Sequence, residues 1–141
     1  MRSLQWTEEN SVFVPEIDEE HEALFHLLQE LRRAVLAGDP LEQLERQAGR
    51  LATRAAGHFQ HEERLMRASR YSALEWHERQ HQAGRTKLAA LTDAIRGHGR
   101  APVFEALEAL TSWILDHVNV ADHMLGSYLR NYDRQQQALK N

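Results

Sequence analysis

The sequence predicts an all-α fold, an antiparallel up-down-up-down four-helix bundle with an extended N-terminal arm. Three observations carry that expectation. Apolar residues recur at alternating steps of three and four along four long segments, which places each set on one stripe of a helix. Only three prolines and seven glycines interrupt the 141 residues, and most stand where such segments begin or end. The links between segments are short, so consecutive helices become antiparallel neighbours and bury all four stripes against one another.

Residues 1–16 hold Trp6, Phe13 and Val14 without a helical period and are expected to run as an arm along the bundle. The first helix is expected over about 18–37, with Asp18 as N-cap and Ile17, His21, Leu24, Leu28, Leu31 and Val35 on one stripe. Gly38 suits the left-handed position after its last turn, Asp39 can cap the next helix, and Pro40 fits a first helical position, where no N–H is needed. The second helix, 40–67, carries Leu41, Leu44, Ala48, Leu51, Ala55, His58, Glu62 and Leu65 in unbroken alternation. After a turn from Ser69 to Ser72, Leu74, His77, His81, Gly84, Leu88, Leu91 and Ile95 continue the rhythm on a third helix, 73–96. Pro102 opens a fourth, 102–131, whose stripe is Val103, Leu107, Leu110, Ile114 and His117, then Leu125, Tyr128 and Leu129. The whole chain, 1–141, reads as one domain.

Composition narrows the function. A net charge of -4 with 27% charged residues gives a solvated surface, and arginines such as Arg32, Arg46, Arg54, Arg64 and Arg85 read as scattered over exposed helix faces. Neither nucleic acid nor a membrane is an expected partner. With no cysteine, disulfides, thiolate zinc sites, iron-sulfur clusters and thiol catalysis are all excluded, so any metal must be held by nitrogen and oxygen. Met1 to Asn10 has one basic side chain and no apolar run, so it is no signal peptide, and a cytoplasmic location is expected.

Against this background seven residues stand out, because they lie on the apolar stripes and can all bind metal: His21, His58, Glu62, His77, His81, His117 and Asp122. A buried carboxylate or imidazole without a partner costs several kcal/mol, so it must be neutralised, hydrogen-bonded or coordinated. A lone histidine on such a face is usually a satisfied core residue. Here, however, every helix contributes, and His58 with Glu62 and His77 with His81 sit one turn apart, where both can reach a single centre. His117 and Asp122 are five apart, which on a straight α-helix turns them about 140° from one another. A π-bulge or break around Val118 to Ala121 is therefore expected, to bring both onto the seam. His26, His61, His98 and His123 fall off the stripes and are expected to be exposed and without a role.

These residues resemble the hemerythrin family, in its bacterial single-domain form. The likeness runs from Trp6 through Ile17-Asp18-Glu19-Glu20-His21, His58-Phe59-x-x-Glu62-Glu63-x-Leu65-Met66, Tyr71 and His77-x-x-x-His81 to Trp113-x-x-x-His117-x-x-x-x-Asp122, nearly the whole chain. The resemblance implies two non-haem iron ions with an oxo or hydroxo bridge. One would take His77, His81 and His117, the other His21 and His58, with Glu62 and Asp122 bridging. Counting donors then leaves the second iron one short, and that vacancy would hold O2 or another small diatomic molecule or anion. By position, Leu24, Phe59, Trp113 and Ile114 are the side chains expected around it. Ser72, Glu20 and His123 depart from residues frequent in the family at those positions, and none is an expected ligand.

The implied function is reversible O2 binding, as carrier, store or sensor, with a protein partner left unidentified. Five neutral imidazoles and two carboxylates are less negative than the four-Glu, two-His set of ferritin-like proteins, which favours ferrous iron and release over oxygen cleavage. The alternative is a di-iron enzyme acting on peroxide, nitric oxide or ferrous iron. No spare acid or base stands on a stripe beside the ligands, so the expectation is a binding protein and not an enzyme. A bundle whose metal is purely structural is the third reading, and an open coordination position argues against it.

Overall fold

The computed structural model describes residues 1–97 and 99–140. Its helices are α1 (Pro15–Ala37), α2 (Leu41–Ala68), α3 (Leu74–Gly97), α4 (Arg100–His117) and α5 (His123–Lys140). A π-helical turn, Val118–Asp122, joins the last two, so that α4 and α5 run on as one long fourth rod. The four rods close a ring in which α1 packs on α2, α2 on α3, α3 on α4 and α4 back on α1.

The expected stripes form the seam. Leu28, Leu31, Leu51, Leu91, Leu107 and Leu110 are fully buried and belong to one large apolar cluster. A second, smaller cluster contains Val12, Ile17, Met66, Tyr71, Leu125 and Leu129. Along every rod the seven metal-capable residues fall between the two: His21 between Ile17 and Leu24, His58 and Glu62 between Ala55 and Met66, His77 and His81 between Tyr71 and Leu88, His117 and Asp122 between Ile114 and Leu125. The bundle thus contains one polar layer with a dry apolar block on either side.

Several boundaries differ from the sequence reading. The first helix starts at Pro15, three residues before Asp18, because proline is already preset for a first helical position. Asp18 is not its N-cap. Its carboxylate instead accepts hydrogen bonds from Ser11 Oγ (2.6 Å) and the Val12 amide (2.9 Å), folding the arm back over the start of α1. Pro40 is the N-cap of α2 and not its first residue, while Asp39 accepts from Gln43 Nε2 at 2.9 Å. The fourth rod runs to Lys140, past the expected end near 131. Gly38 closes α1 in the left-handed conformation, φ 74°, with the Asp39 amide bonded to Ala34 O.

The arm is irregular apart from a short 3-10 turn, Glu8–Asn10, and is pinned along its length. Leu4 and Val12 are buried, Arg32 donates to Arg2 O (2.8 Å), and Arg130 donates to Val12 O (2.8 Å). Gly126 is what lets the arm approach. A Cβ there would lie 2.4 Å from Val12 O, a backbone atom that cannot swing aside. Gly126→Ala should therefore destabilise the protein by about 1–3 kcal/mol in urea unfolding. Gly49→Ala, with open space over the site, should be neutral or stabilising by about 0.5–1 kcal/mol.

Candidate metal centre

Each rod sends its metal-capable side chains into the polar layer for a local reason. His58 and Glu62 on α2, and His77 and His81 on α3, are stacked by their four-residue spacing. On the fourth rod the π turn inserts the extra residue that the five-residue spacing requires, and both His117 and Asp122 are buried. His21 enters from α1. Six of the seven are at most 4% exposed and His117 is 5% exposed, so bulk solvent is not their partner.

The seven fall into two overlapping groups, Glu62 with His77, His81, His117 and Asp122, and His21 with His58, Glu62 and Asp122. The two carboxylates belong to both, and each gives one oxygen to each side. Asp122 Oδ1 lies 3.0 Å from Nε2 of His77 and of His117, while its Oδ2 lies 2.8 Å from His21 Nε2. Glu62 Oε1 lies 3.0 Å from His81 Nε2 and 3.4 Å from His77 Nε2, while its Oε2 lies 3.4 Å from His58 Nε2. All five imidazoles present Nε2 to the layer.

These contacts are too close to be idle, yet many are not hydrogen bonds. Nε2 of His77 and His117, both Asp122 oxygens and Glu62 Oε2 are buried without a hydrogen-bond partner. Atoms bound at about 2.0–2.2 Å to one ion, at right angles, lie roughly 3 Å apart without pointing at each other. Donors that converge on a shared point explain both the distances and the missing hydrogen bonds, so the residues present fit metal ions.

Electrostatics says the same. Burial and the neighbouring Asp122 charge both oppose ionising Glu62, yet the surrounding imidazoles hold its carboxyl well below the usual range. Asp122 is held low in the same way, by His117, His21 and His58 against its own burial. In return two of the imidazoles, His77 and His58, are pushed up. Burial works against a charged His77, but its contacts with Asp122 and Glu62 raise it to about 9. His58 also rises, through Glu62, Asp122 and Glu20. Without a metal, protons supply the positive charge that two buried carboxylates demand.

Two further carboxylates stand behind the ligand layer, and the sequence reading missed both. His58 Nδ1–H donates to Glu20 Oε1 at 2.7 Å, and His81 Nδ1–H donates to Glu63 Oε2 at 2.7 Å. Each bond fixes the tautomer that leaves Nε2 free to bind. Glu63 also accepts from Arg85 at 3.3 Å, whereas Glu20 also accepts from His61 Nδ1 at 2.9 Å. His61 is therefore half-buried and engaged, contrary to the expectation that it stands free. Burial would raise the Glu20 carboxyl, and its bonds with His58 and His61 more than offset that and lower it. His26 and His123 are exposed as expected, and His98 lies outside the described residues.

Aromatic rings clamp the imidazoles. Phe59 stacks on His81 with centroids 4.3 Å apart, and Trp113 stacks on His117 at 4.6 Å. Gly84 makes room for this, since a Cβ there would lie 2.5 Å from the Trp113 ring. Beside the two-histidine group is a cavity lined by Leu24, Phe59, Trp113 and Ile114, joined by Ala55, Leu88, Leu110 and Val118. The cavity is about 10 Å³, close to the room that a single small molecule needs.

Known proteins share this framework. The family model described as the hemerythrin HHE cation binding domain matches residues 12–129. Myohemerythrin of Theromyzon tessulatum is 27% identical over 119 residues, which cover 84% of this chain and 87% of that protein.

Two outcomes are expected of the centre. His117→Ala should cost at least one metal ion per chain by elemental analysis, and His26→Ala, at an exposed position, none. The second concerns pH. A folded value of about 9 for His77 against an ordinary 6.5 stabilises the metal-free fold by on the order of 3 kcal/mol. Because the folded value is the higher, that contribution is complete below about 6.5 and lost as pH rises through about 9. Urea unfolding of metal-free protein across this window should show the loss, and the metal-loaded protein, with its imidazoles neutral and coordinated, should not.

Proposed function

The chain belongs to the hemerythrin family, and from that premise we propose that it binds O2 reversibly at a pair of non-haem iron ions in the polar layer. The observation that carries this reading is the division of the donors. Glu62 and Asp122 each offer one oxygen to a three-imidazole group and the other to a two-imidazole group, and the apolar-walled cavity touches both imidazoles of the poorer group, His21 and His58, but only His117 of the richer. Glu62 and Asp122, with the five imidazoles around them, would hold iron there, and bound ferrous iron would supply the reversible redox chemistry that O2 binding needs. His77, His81 and His117 would complete one side, and His21 and His58 would leave the other a donor short.

The protein's part is to hold geometry and exclude water. Glu20 and Glu63 keep His58 and His81 in the required tautomer, and Phe59 and Trp113 prevent their neighbouring imidazoles from turning. Leu24, Leu110 and Ile114 are nearly or fully buried and leave no polar group except the ligands facing the cavity. That lining favours binding over turnover of peroxide, nitric oxide or ferrous iron, since such an enzyme benefits from a proton donor at the bound molecule. No helix among the described residues is long and apolar enough to cross a membrane.

The test is a cycle: load iron, reduce without air, admit O2, then remove it while following the visible spectrum. Under this reading a new band develops and disappears over repeated cycles. One-way oxidation with catalytic loss of added peroxide would instead establish the enzyme.

A further inference from the structure

Outside the metal layer, the face between α1 and α2 carries a groove that O2 binding does not need. Arg46, Arg50 and Arg54 follow one another on α2 at four-residue steps, about 6 Å apart along the axis. Arg64 reaches the same groove from farther along the helix. The floor is made of small residues, and nothing lies within 4 Å of where a Cβ on Gly49 or Gly57 would stand. Two adjoining cavities of about 440 and 890 Å³ share Ala23, Thr53 and Arg54. These are the dimensions of small-molecule sites.

The charge in this groove is uncompensated. The arginines that pair with carboxylates among the described residues are Arg2, Arg32, Arg67 and Arg85, and none of them lines it. Yet the chain has 21 acidic side chains and a net charge of -4. The acid that does line the groove, Glu20, is already engaged by His58 and His61. Like charges four residues apart on a helix repel, so a row of this kind weakens α2 unless an anion settles on it. Guanidinium groups present planar forks that match phosphate oxygens two at a time.

We propose that the α1–α2 groove binds a small molecule bearing a di- or triphosphate group, held by Arg46, Arg50 and Arg54, which line one cavity together with Thr53. Several guanidinium groups in line suit consecutive phosphates better than a single carboxylate. The acidic chain as a whole offers no wider basic field for a nucleic acid. The site stands on the groove alone, so its failure would leave the O2 reading untouched.

The experiment is calorimetric titration of the iron-loaded protein with ATP, inorganic pyrophosphate and adenosine, repeated on an Arg50→Gln/Arg54→Gln double variant. ATP and pyrophosphate are expected to bind at one site and adenosine not to bind. The double variant should lose about tenfold or more in affinity with helix and iron content unchanged. Equal affinity of pyrophosphate and ATP would assign recognition to the phosphates alone, and tighter ATP would give the base a share; both support the site. No binding at millimolar concentration, adenosine binding as tightly as ATP, or undiminished affinity in the double variant would overturn it.

Discussion

Two carboxylates, Glu62 and Asp122, are fully buried side by side in the middle of the bundle, and the rest of the structure is arranged around that fact. Two negative charges cannot lie out of water without positive charge close by. Each carboxylate turns one oxygen toward three imidazoles and the other toward two, so the positive charge is called for at two adjacent places. Protons can meet the demand on His58 and His77, whose imidazoles are pushed up. Metal ions meet it better, because they also account for contacts near 3 Å that satisfy no hydrogen bond.

The fold serves this layer by isolating it. One apolar cluster lies to one side and a smaller one to the other, so solvent reaches the ligands at most at the edges of His58 and His117, which are 4% and 5% exposed. Within that shell three of the five imidazoles are held from behind or from the side: His58 by Glu20, His81 by Glu63 and Phe59, His117 by Trp113. The N-terminal arm completes the smaller cluster with Val12, and Gly126 lets it lie close against the fourth rod. Rigid donors next to an apolar-walled cavity are the arrangement on which the proposed O2 binding rests.

The groove on the α1–α2 face is the opposite sort of environment, open, cationic and built on small residues. It meets the metal layer at His58 and Leu24, which line both the groove and the inner cavity. The two regions share a wall but not a chemistry. On the readings proposed above, the first would take a neutral gas behind apolar walls and the second a multiply charged anion in contact with water.

What the sequence by itself determined is everything internal to a single helix. A rise of 1.5 Å and a turn of 3.6 residues fix which side chains share a face, so the four stripes, the His58–Glu62 and His77–His81 pairs and even the π turn between His117 and Asp122 could be read from spacing. What only the tertiary structure decided are the relations between helices. Glu20 and Glu63 sit off the stripes and look like solvated acids until packing brings His58 and His81 against them. Asp18 resembles an N-cap until the arm claims its carboxylate, and Gly84 gains its purpose only because Trp113 arrives from another rod. The arginines seemed scattered because their shared groove exists only once α1 lies against α2. Such contacts depend on how far one rod slides and rotates against the next, which the helical repeat of neither one specifies.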